Sequence, residues 1–193
     1  LDNLLGRFPQ VRRLVVGFSG GLDSTVLLHL LREWRSHHGR ELLAVHVHHG
    51  LSPYADAWEG HAEAVCRAWD IPLCLQRVQV ERRASLEAAA RAARRSALVS
   101  VLQEGDALLL AQQREDQAET VLLRLLRGSG VTGLAAMRPD SVMAAPGAGT
   151  WPLWRPLLDV SRTSLERYAV RHALSWVEDE SNALFSAMAS YKR

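Results

Sequence analysis

The chain has 193 residues, 48% of them hydrophobic and 23% charged, and a formal net charge of +2; this composition is typical of a globular domain and excludes disorder and fibrous repeats. No apolar run approaches the ~20 residues of a membrane span, and the near-neutral charge does not by itself indicate a nucleic-acid partner. Lys192 is the only lysine. No earlier residue can therefore form a Schiff base or supply the phosphate-binding lysine of a GxxxxGK[ST] motif.

Apolar, β-branched runs alternate with segments of helical periodicity along the chain. The predicted strands cover residues 13–18, 41–48, 72–80, 107–111 and 154–158. The predicted helices cover residues 25–34, 55–69, 85–102, 117–126 and 161–172, the last with Ser161 as N-cap, and residues 139–150 are predicted to form a flexible loop. This alternation predicts an α/β fold, a Rossmann-like doubly wound parallel sheet of about five strands. We expect a single domain over residues 1–193, with its core at about 14–138 and a terminal strand and helix at 151–182.

Three polar segments follow predicted strands, at residues 19–24, 48–53 and 112–116, and should share the rim where open parallel sheets bind ligands. The first reads Ser-Gly-Gly-Leu-Asp-Ser. Paired glycines allow a tight turn, and the N–H groups at the start of the next helix form an anion site. Asp23 would repel a phosphate unless a cation such as Mg²⁺ bridges the two. The structural alternative is an ordinary turn with Asp23 or Ser24 as helix N-cap.

This turn resembles the pyrophosphate loop of the N-type ATP pyrophosphatase, or PP-loop, superfamily, whose members form adenylates and release pyrophosphate. Further segments at residues 44–52, 112–120, 124–130 and 178–182 are arranged as in the tRNA(Ile)-lysidine synthetase family, so the resemblance covers about residues 14–182. It implies an adenine nucleotide alpha hydrolase-like fold and a cytoplasmic carbon–nitrogen ligase without membrane contact. The implied reaction adenylates C2 of the wobble cytidine of an isoleucine tRNA with ATP, and free L-lysine then displaces AMP to give lysidine.

The resemblance also implies the residues of the site. ATP and its pyrophosphate end would contact Ser19, Gly20, Gly21, Leu22, Asp23, Ser24, His46 and Val47. Asp23 would hold Mg²⁺, and Asp23 and Asp116 would be the catalytic residues. The remaining candidates for substrate or phosphate contacts are Glu115, Glu119, Arg124 and Arg127. The family pattern has a histidine and an aspartate where this chain has Gln113 and Glu115, and glutamine cannot titrate, which argues against proton transfer at position 113.

Several of these features have structural alternatives. The histidines at positions 46, 48 and 49 could ligate zinc, but polar contacts at a strand end explain them better because no fourth ligand is at a suitable spacing. The carboxylates of Glu115 and Asp116 also suit the first turn of a helix, where they favour its dipole. Five arginines, at positions 82, 83, 91, 94 and 95, form either a solvated helix face or a surface for tRNA phosphates.

Three rival functions remain open. A tRNA thiolase would need a CxxC pair, whereas Cys66 and Cys74 are separated by seven other residues and fit small buried side chains in a reducing compartment. An amide synthetase would need an ammonia source, and a non-catalytic nucleotide-binding module would not need the carboxylates after the fourth strand. The family continues beyond residue 182 into C-terminal tRNA-binding domains, which we expect to be absent here, so tRNA binding should be weak. A homodimer is left open.

Overall fold

The computed structural model describes residues 8–79, 86–126, 128 and 136–178, with only the backbone described at residues 86 and 87. Its strands are β1 (Arg13–Gly17), β2 (Glu41–His48), β3 (Leu73–Arg77), β4 (Asp106–Leu109), β5 (Asp140–Ala145) and β6 (Gly149–Trp154). Its helices are α1 (Leu22–His38), α2 (Ala55–Ala68), α3 (Leu86–Ser100), α4 (Arg114–Leu126) and α5 (Arg162–Arg171). The predicted α/β alternation is confirmed.

The described strands form one sheet in the order β3-β2-β1-β4-β6-β5. Five of them are parallel, and β5 pairs antiparallel with β6 at one edge. The chain first adds β2 and β3 on one side of β1 and then returns to place β4 on the other side. The strand order therefore reverses between β1 and β4, and the crevice beyond their carboxyl ends is where such sheets bind ligands.

Helices cover both faces of the sheet. In the central strand β1, Leu14, Val15 and Val16 are fully buried, because each face of the sheet packs against a helical layer. On one face α1, α2 and α5 contribute the cluster that includes Leu27, Val65 and Leu165. On the other face α3 contributes Leu98 to a second cluster. This two-sided packing confirms the doubly wound architecture.

The expectation of a flexible loop at residues 139–150 is wrong. This segment contains β5 and the start of β6, joined by a tight turn in which Gly147 has φ +76°. Met143 and Trp151 are paired across this hairpin and buried against the α3 side of the sheet, which supplies the apolar contacts that an isolated loop would lack. The last strand consequently ends at Trp154, where the sequence predicted it to begin.

The helix α5 begins as predicted. Ser161 is its N-cap, and the Ser161 side chain accepts a hydrogen bond from the Ser164 N–H. Within the described ranges, none of the helices has both the length and the apolar character to cross a membrane.

Candidate functional site

The turn after β1 contains one position whose backbone conformation favours glycine. Gly20 has φ +83°, and a Cβ atom there would lie 3.2 Å from His61 Cδ2 and 3.4 Å from Val177 Cγ2. The Gly20 carbonyl accepts a hydrogen bond from the Val177 N–H at 2.9 Å, so the segment after α5 holds the turn in place. The turn is therefore shaped both by its glycine and by a distant part of the chain.

The first turn of α1 has no side-chain cap. Gly21 is the N-cap residue and makes no side-chain cap hydrogen bond, although its own N–H donates to Ser19 Oγ at 3.3 Å. Ser24 Oγ donates to the Gly21 carbonyl at 3.1 Å and lies 3.0 Å from Ser19 Oγ, so both hydroxyls line the turn. The alternative that Asp23 or Ser24 caps this helix is wrong. The uncapped N–H groups and the positive end of the helix dipole form an anion site.

The Asp23 carboxylate lies in the same turn, and one of its oxygens has no partner among the described residues. Its Oδ1 atom is buried and accepts no hydrogen bond from the described residues. Burial, followed by repulsion from Asp116 and Glu115, raises the pKa of Asp23 to about 6, against the opposing effect of Arg162. A buried carboxylate oxygen with acidic neighbours fits a cation.

These residues fit Mg²⁺ held jointly with phosphates. The described residues contain no group of three or more metal-ligating side chains, so the protein does not build a complete cage. Mg²⁺ commonly takes one or two protein carboxylates and completes its coordination with water and substrate phosphates. Asp23, beside an anion-binding helix start, provides that arrangement.

The turn after β4 is closed by its own side chains. Asp116 Oδ2 accepts a hydrogen bond from the Gln113 N–H at 2.8 Å, and Gln113 Oε1 accepts one from the Glu115 N–H at 2.9 Å. This reciprocal pair caps the start of α4. Gln113 is buried. It stands where the family pattern has a histidine, and in this chain it serves as a helix cap. Burial still raises the pKa of Asp116, although the Gln113 N–H opposes that shift.

Other polar residues of α4 also have structural partners. The Glu115 carboxylate accepts the Arg162 N–H at 3.1 and 3.3 Å, at the start of α5. The Gln117 side chain donates to the Met137 carbonyl at 2.7 Å and accepts the Met137 N–H at 2.8 Å. Thr120 Oγ1 donates to the Asp116 carbonyl at 2.8 Å. Glu119, in contrast, is exposed at the surface of α4.

Comparison with known proteins identifies the family. The family model described as the PP-loop domain matches residues 1–193, the whole chain. The chain belongs to the PP-loop domain family. This PP-loop domain is 52% identical over 173 residues to the tRNA(Ile)-lysidine synthase of Salmonella typhimurium, covering 89% of this chain and 39% of the relative. It is 53% identical over 168 residues to the synthase of Pseudomonas fluorescens, covering 86% of this chain and 37% of the relative. The chain thus spans about two fifths of the length of these relatives.

Solved structures share the fold of this PP-loop domain. The U34-tRNA thiolase NcsA of Methanococcus maripaludis, with its [4Fe-4S] cluster, matches with a TM-score of 0.74 at 21% identity, over 92% of this chain and 62% of that one. The NH3-dependent NAD synthetase of Campylobacter jejuni matches with a TM-score of 0.56 at 13% identity, over 98% and 80%. At these identities the likeness establishes the architecture alone.

The histidines of this PP-loop domain are engaged in protein contacts. His46 is buried, its Nδ1 lies 2.9 Å from the Phe18 carbonyl, and burial lowers its pKa, so a neutral ring connects the ends of β1 and β2. His48 Nε2 lies 3.0 Å from Asp56 Oδ1, and His49 Nδ1 accepts the Leu51 N–H. Zinc is not supported at this strand end within the described residues. Val47 is half-buried on the same strand.

The basic candidates are only partly described. Arg124 lies half-buried on α4, whereas Arg127, Arg82 and Arg83 lie outside the described residues. On α3 the arginines at positions 91, 94 and 95 are exposed, and Arg95 Nη2 donates to the Ala144 carbonyl at 2.7 Å.

Sequence reasoning missed two arginines near the rim. Arg162 lowers the pKa of both Asp23 and Asp116, which places its charge close to them. Arg155 follows β6 and hydrogen-bonds to Gln112 at the end of β4. Neither lies in a motif, and only the packing of β6 and α5 against the β4 side of the crevice brings them to the rim.

Proposed function

We propose that this PP-loop domain carries the adenylation and ligation chemistry of a tRNA(Ile)-lysidine synthetase. The observation that supports this most directly is the uncapped start of α1 at the point where the strand order reverses, beside Asp23 Oδ1, which has no partner among the described residues. The 52% identity to a curated synthase supports the assignment of the acceptor and of the amine. The thiolase alternative is weaker because Cys66 is buried, which raises its pKa to about 11, and no cysteine pair is close in sequence.

The residues of the first turn bind the nucleotide. The N–H groups of Leu22, Asp23 and Ser24, with the Ser19 hydroxyl, hold the pyrophosphate end of ATP, while His46 and Val47 line the adenosine pocket. Asp23 holds Mg²⁺, which neutralises phosphate charge when it is bound. Gly20 and Gly21 let the backbone approach the phosphates.

The reaction then proceeds in two displacements. The C2 oxygen of the wobble cytidine attacks the α-phosphate of ATP, and pyrophosphate leaves. The ε-ammonium of free L-lysine next loses a proton to solvent, the resulting amine attacks C2, and AMP leaves with the C2 oxygen. Asp116 orients the lysine through its ammonium charge, and the α4 cap uses its Oδ2 oxygen. Glu119, Arg124 and Arg127 are further contacts for substrate or phosphate.

The partners follow from this assignment. They are an isoleucine tRNA, ATP and L-lysine, in the cytoplasm, and a homodimer is left open. The exposed arginines of α3 are a surface for tRNA phosphates.

The proposal is tested by two measurements on the same reaction. Pyrophosphate release is measured with ATP and Mg²⁺, with and without an isoleucine tRNA. Lysine is then added, and the mass of the tRNA is determined by mass spectrometry. We expect tRNA-dependent release and a tRNA heavier by one lysine residue. Release without tRNA, or release without a mass gain on lysine addition, would contradict the proposal.

A further inference from the structure

Arg155 is a fixed guanidinium at the rim of the sheet. Its Nε donates to Gln112 Oε1 at 3.0 Å, and its Nη1 donates to the Arg138 carbonyl at 3.0 Å and to Ser141 Oγ at 2.9 Å. The residue is half-buried and directly follows β6, and its backbone N–H donates to the Pro139 carbonyl. Two of its three side-chain nitrogens are thus held by the protein.

Among the described residues, no acid compensates the charge of this guanidinium. All three acceptors are neutral, and no carboxylate in the described part of the chain forms an ion pair with it. Burial lowers the pKa of Arg155, without an acidic neighbour to oppose that shift. A partly desolvated cation without an anion costs free energy, because the water it loses is not replaced by an opposite charge. By comparison, the buried Asp106 is paired with Arg13 at 2.6 Å.

Arg155 is linked through Gln112 to the turn that carries the Asp116 carboxylate. Its partner Gln112 directly precedes Gln113, whose N–H is bound by Asp116. One wall of the rim therefore presents a cation beyond β6 and a carboxylate group at the start of α4. A free amino acid with a basic side chain has the matching polarity, with a carboxylate at one end and an ammonium at the other, separated by its aliphatic length.

We propose that Arg155 binds the α-carboxylate of the amino-acid substrate, with Nη2 as the donor that the described residues leave available. This rests on the proposed function, which supplies lysine as that substrate. A charge-assisted contact of this kind positions lysine and rejects amines that lack a carboxylate. Gln112, Arg138 and Ser141 are then positioning residues that fix the plane of the guanidinium.

Lysine and cadaverine, which is lysine without its carboxylate, distinguish this role from a structural one. We expect the wild-type protein to use lysine far better than cadaverine. Arg155→Met should raise the KM for lysine by about 10- to 100-fold, the usual loss for a hydrogen bond to a charged group, and leave the KM for cadaverine unchanged. Arg155→Lys should give a smaller loss in the same direction, because the charge stays but the planar fork does not.

Controls separate folding and the proposed function from this inference. Arg167→Met removes an exposed arginine of α5 and should change neither KM. Adenylation needs no lysine, so tRNA-dependent pyrophosphate release by the wild-type protein tests the proposed function separately, and its absence would contradict that function and not this inference. Equilibrium dialysis of labelled lysine against the wild-type protein and Arg155→Met compares their lysine affinities without turnover. Equal losses with both amines, or no loss of lysine binding in either Arg155 variant, would overturn the inference.

Discussion

The turns after β1 and β4 occupy equivalent places in the fold, yet their helix starts are arranged in opposite ways. Both follow a buried central strand, face the same crevice and contain an aspartate in the first helical turn. At α1 no side chain caps the helix, and Asp23 Oδ1 has no described partner. At α4 Gln113 and Asp116 cap each other reciprocally.

This difference separates two kinds of chemistry across one crevice. An uncapped helix start keeps its N–H groups for an external anion, and a phosphate is the ligand that the first turn suits. A capped start satisfies its own N–H groups, so what remains exposed to a ligand is carboxylate charge, which suits a cationic amine. Four predictions test this contrast, and a fifth concerns tRNA binding away from both turns.

The largest expected effect concerns the uncapped turn. Asp23→Asn should lower pyrophosphate release by about 100-fold or more, because an amide cannot hold Mg²⁺ against the phosphates. The variant should fold normally, since the buried Asp23 Oδ1 has no partner to lose in the described part of the chain. Pyrophosphate release is measured in the presence of Mg²⁺, and circular dichroism checks that the variant is folded. A normal rate would show that Asp23 does not hold the metal.

The same residue predicts a pH dependence of stability in the metal-free protein. Because the folded-state pKa of Asp23 is raised from 3.8 to about 6, the folded state binds a proton more tightly than the unfolded state. Stability should therefore fall as the pH rises from about 4 to about 6, by on the order of 2 kcal/mol after solvent screening. Urea denaturation in EDTA measures it. Asp23→Asn should flatten the profile more than Asp116→Asn, and equal profiles would contradict the contrast between the turns.

At the capped turn, two substitutions separate charge from capping. Asp116→Ala removes both and should cost about 1 kcal/mol of stability in addition to weakening lysine use. Asp116→Asn retains an oxygen for the Gln113 N–H, so it should remain stable while lysine use still falls by about 10-fold. Lysine dependence and ATP titration are compared in each variant. Loss of ATP binding with unchanged lysine affinity would move Asp116 to the nucleotide site.

Gly20→Ala tests the backbone of the uncapped turn. The substitution forces a non-glycine residue to φ +83° and brings Cβ against His61 and Val177, so ATP affinity should fall and stability should drop by about 1–2 kcal/mol. Gly39→Ala is the matched control, because Gly39 has φ +62° but nothing within 4 Å of its Cβ position. The control should lose less stability and keep its ATP affinity. Equal losses of ATP affinity would show that the contacts around Gly20 are unimportant.

The smallest effect is expected on tRNA binding, away from both turns. Binding by this chain should be weak and should fade between low and physiological salt, because each phosphate contact contributes about 0.7–0.9 to the salt slope. Arg94→Gln should reduce the slope by one such contact, whereas Glu104→Gln, an exposed acid on the adjoining loop, should not reduce it. Tight, salt-insensitive binding would show that the arginines of α3 are not the docking surface.

Much of this protein could be predicted from local pattern. The strands β1, β2 and β4, the phosphate turn and the Ser161 cap were predicted because each depends on a few neighbouring residues whose burial or turn preference is strong. The family resemblance was predicted from motifs in a fixed order, and the match to the PP-loop domain over residues 1–193 confirmed it. The hairpin of β5 and β6 was missed, because a segment rich in Gly, Ala and Pro becomes a strand pair only when Met143 and Trp151 have a core to pack against.

The sequence by itself determined the tight turn after β1 and the start of α1, because Gly20 and Gly21 set the backbone of both. Tertiary structure decided what the other polar residues do. Gln113 became a cap, Glu115 joined α4 to α5, and Val177 came to hold the phosphate turn across more than half the chain. Arg155 reached the rim because β6 lies beside β4. Hydrogen bonds and charge pairs between distant elements depend on strand order, which no local pattern encodes.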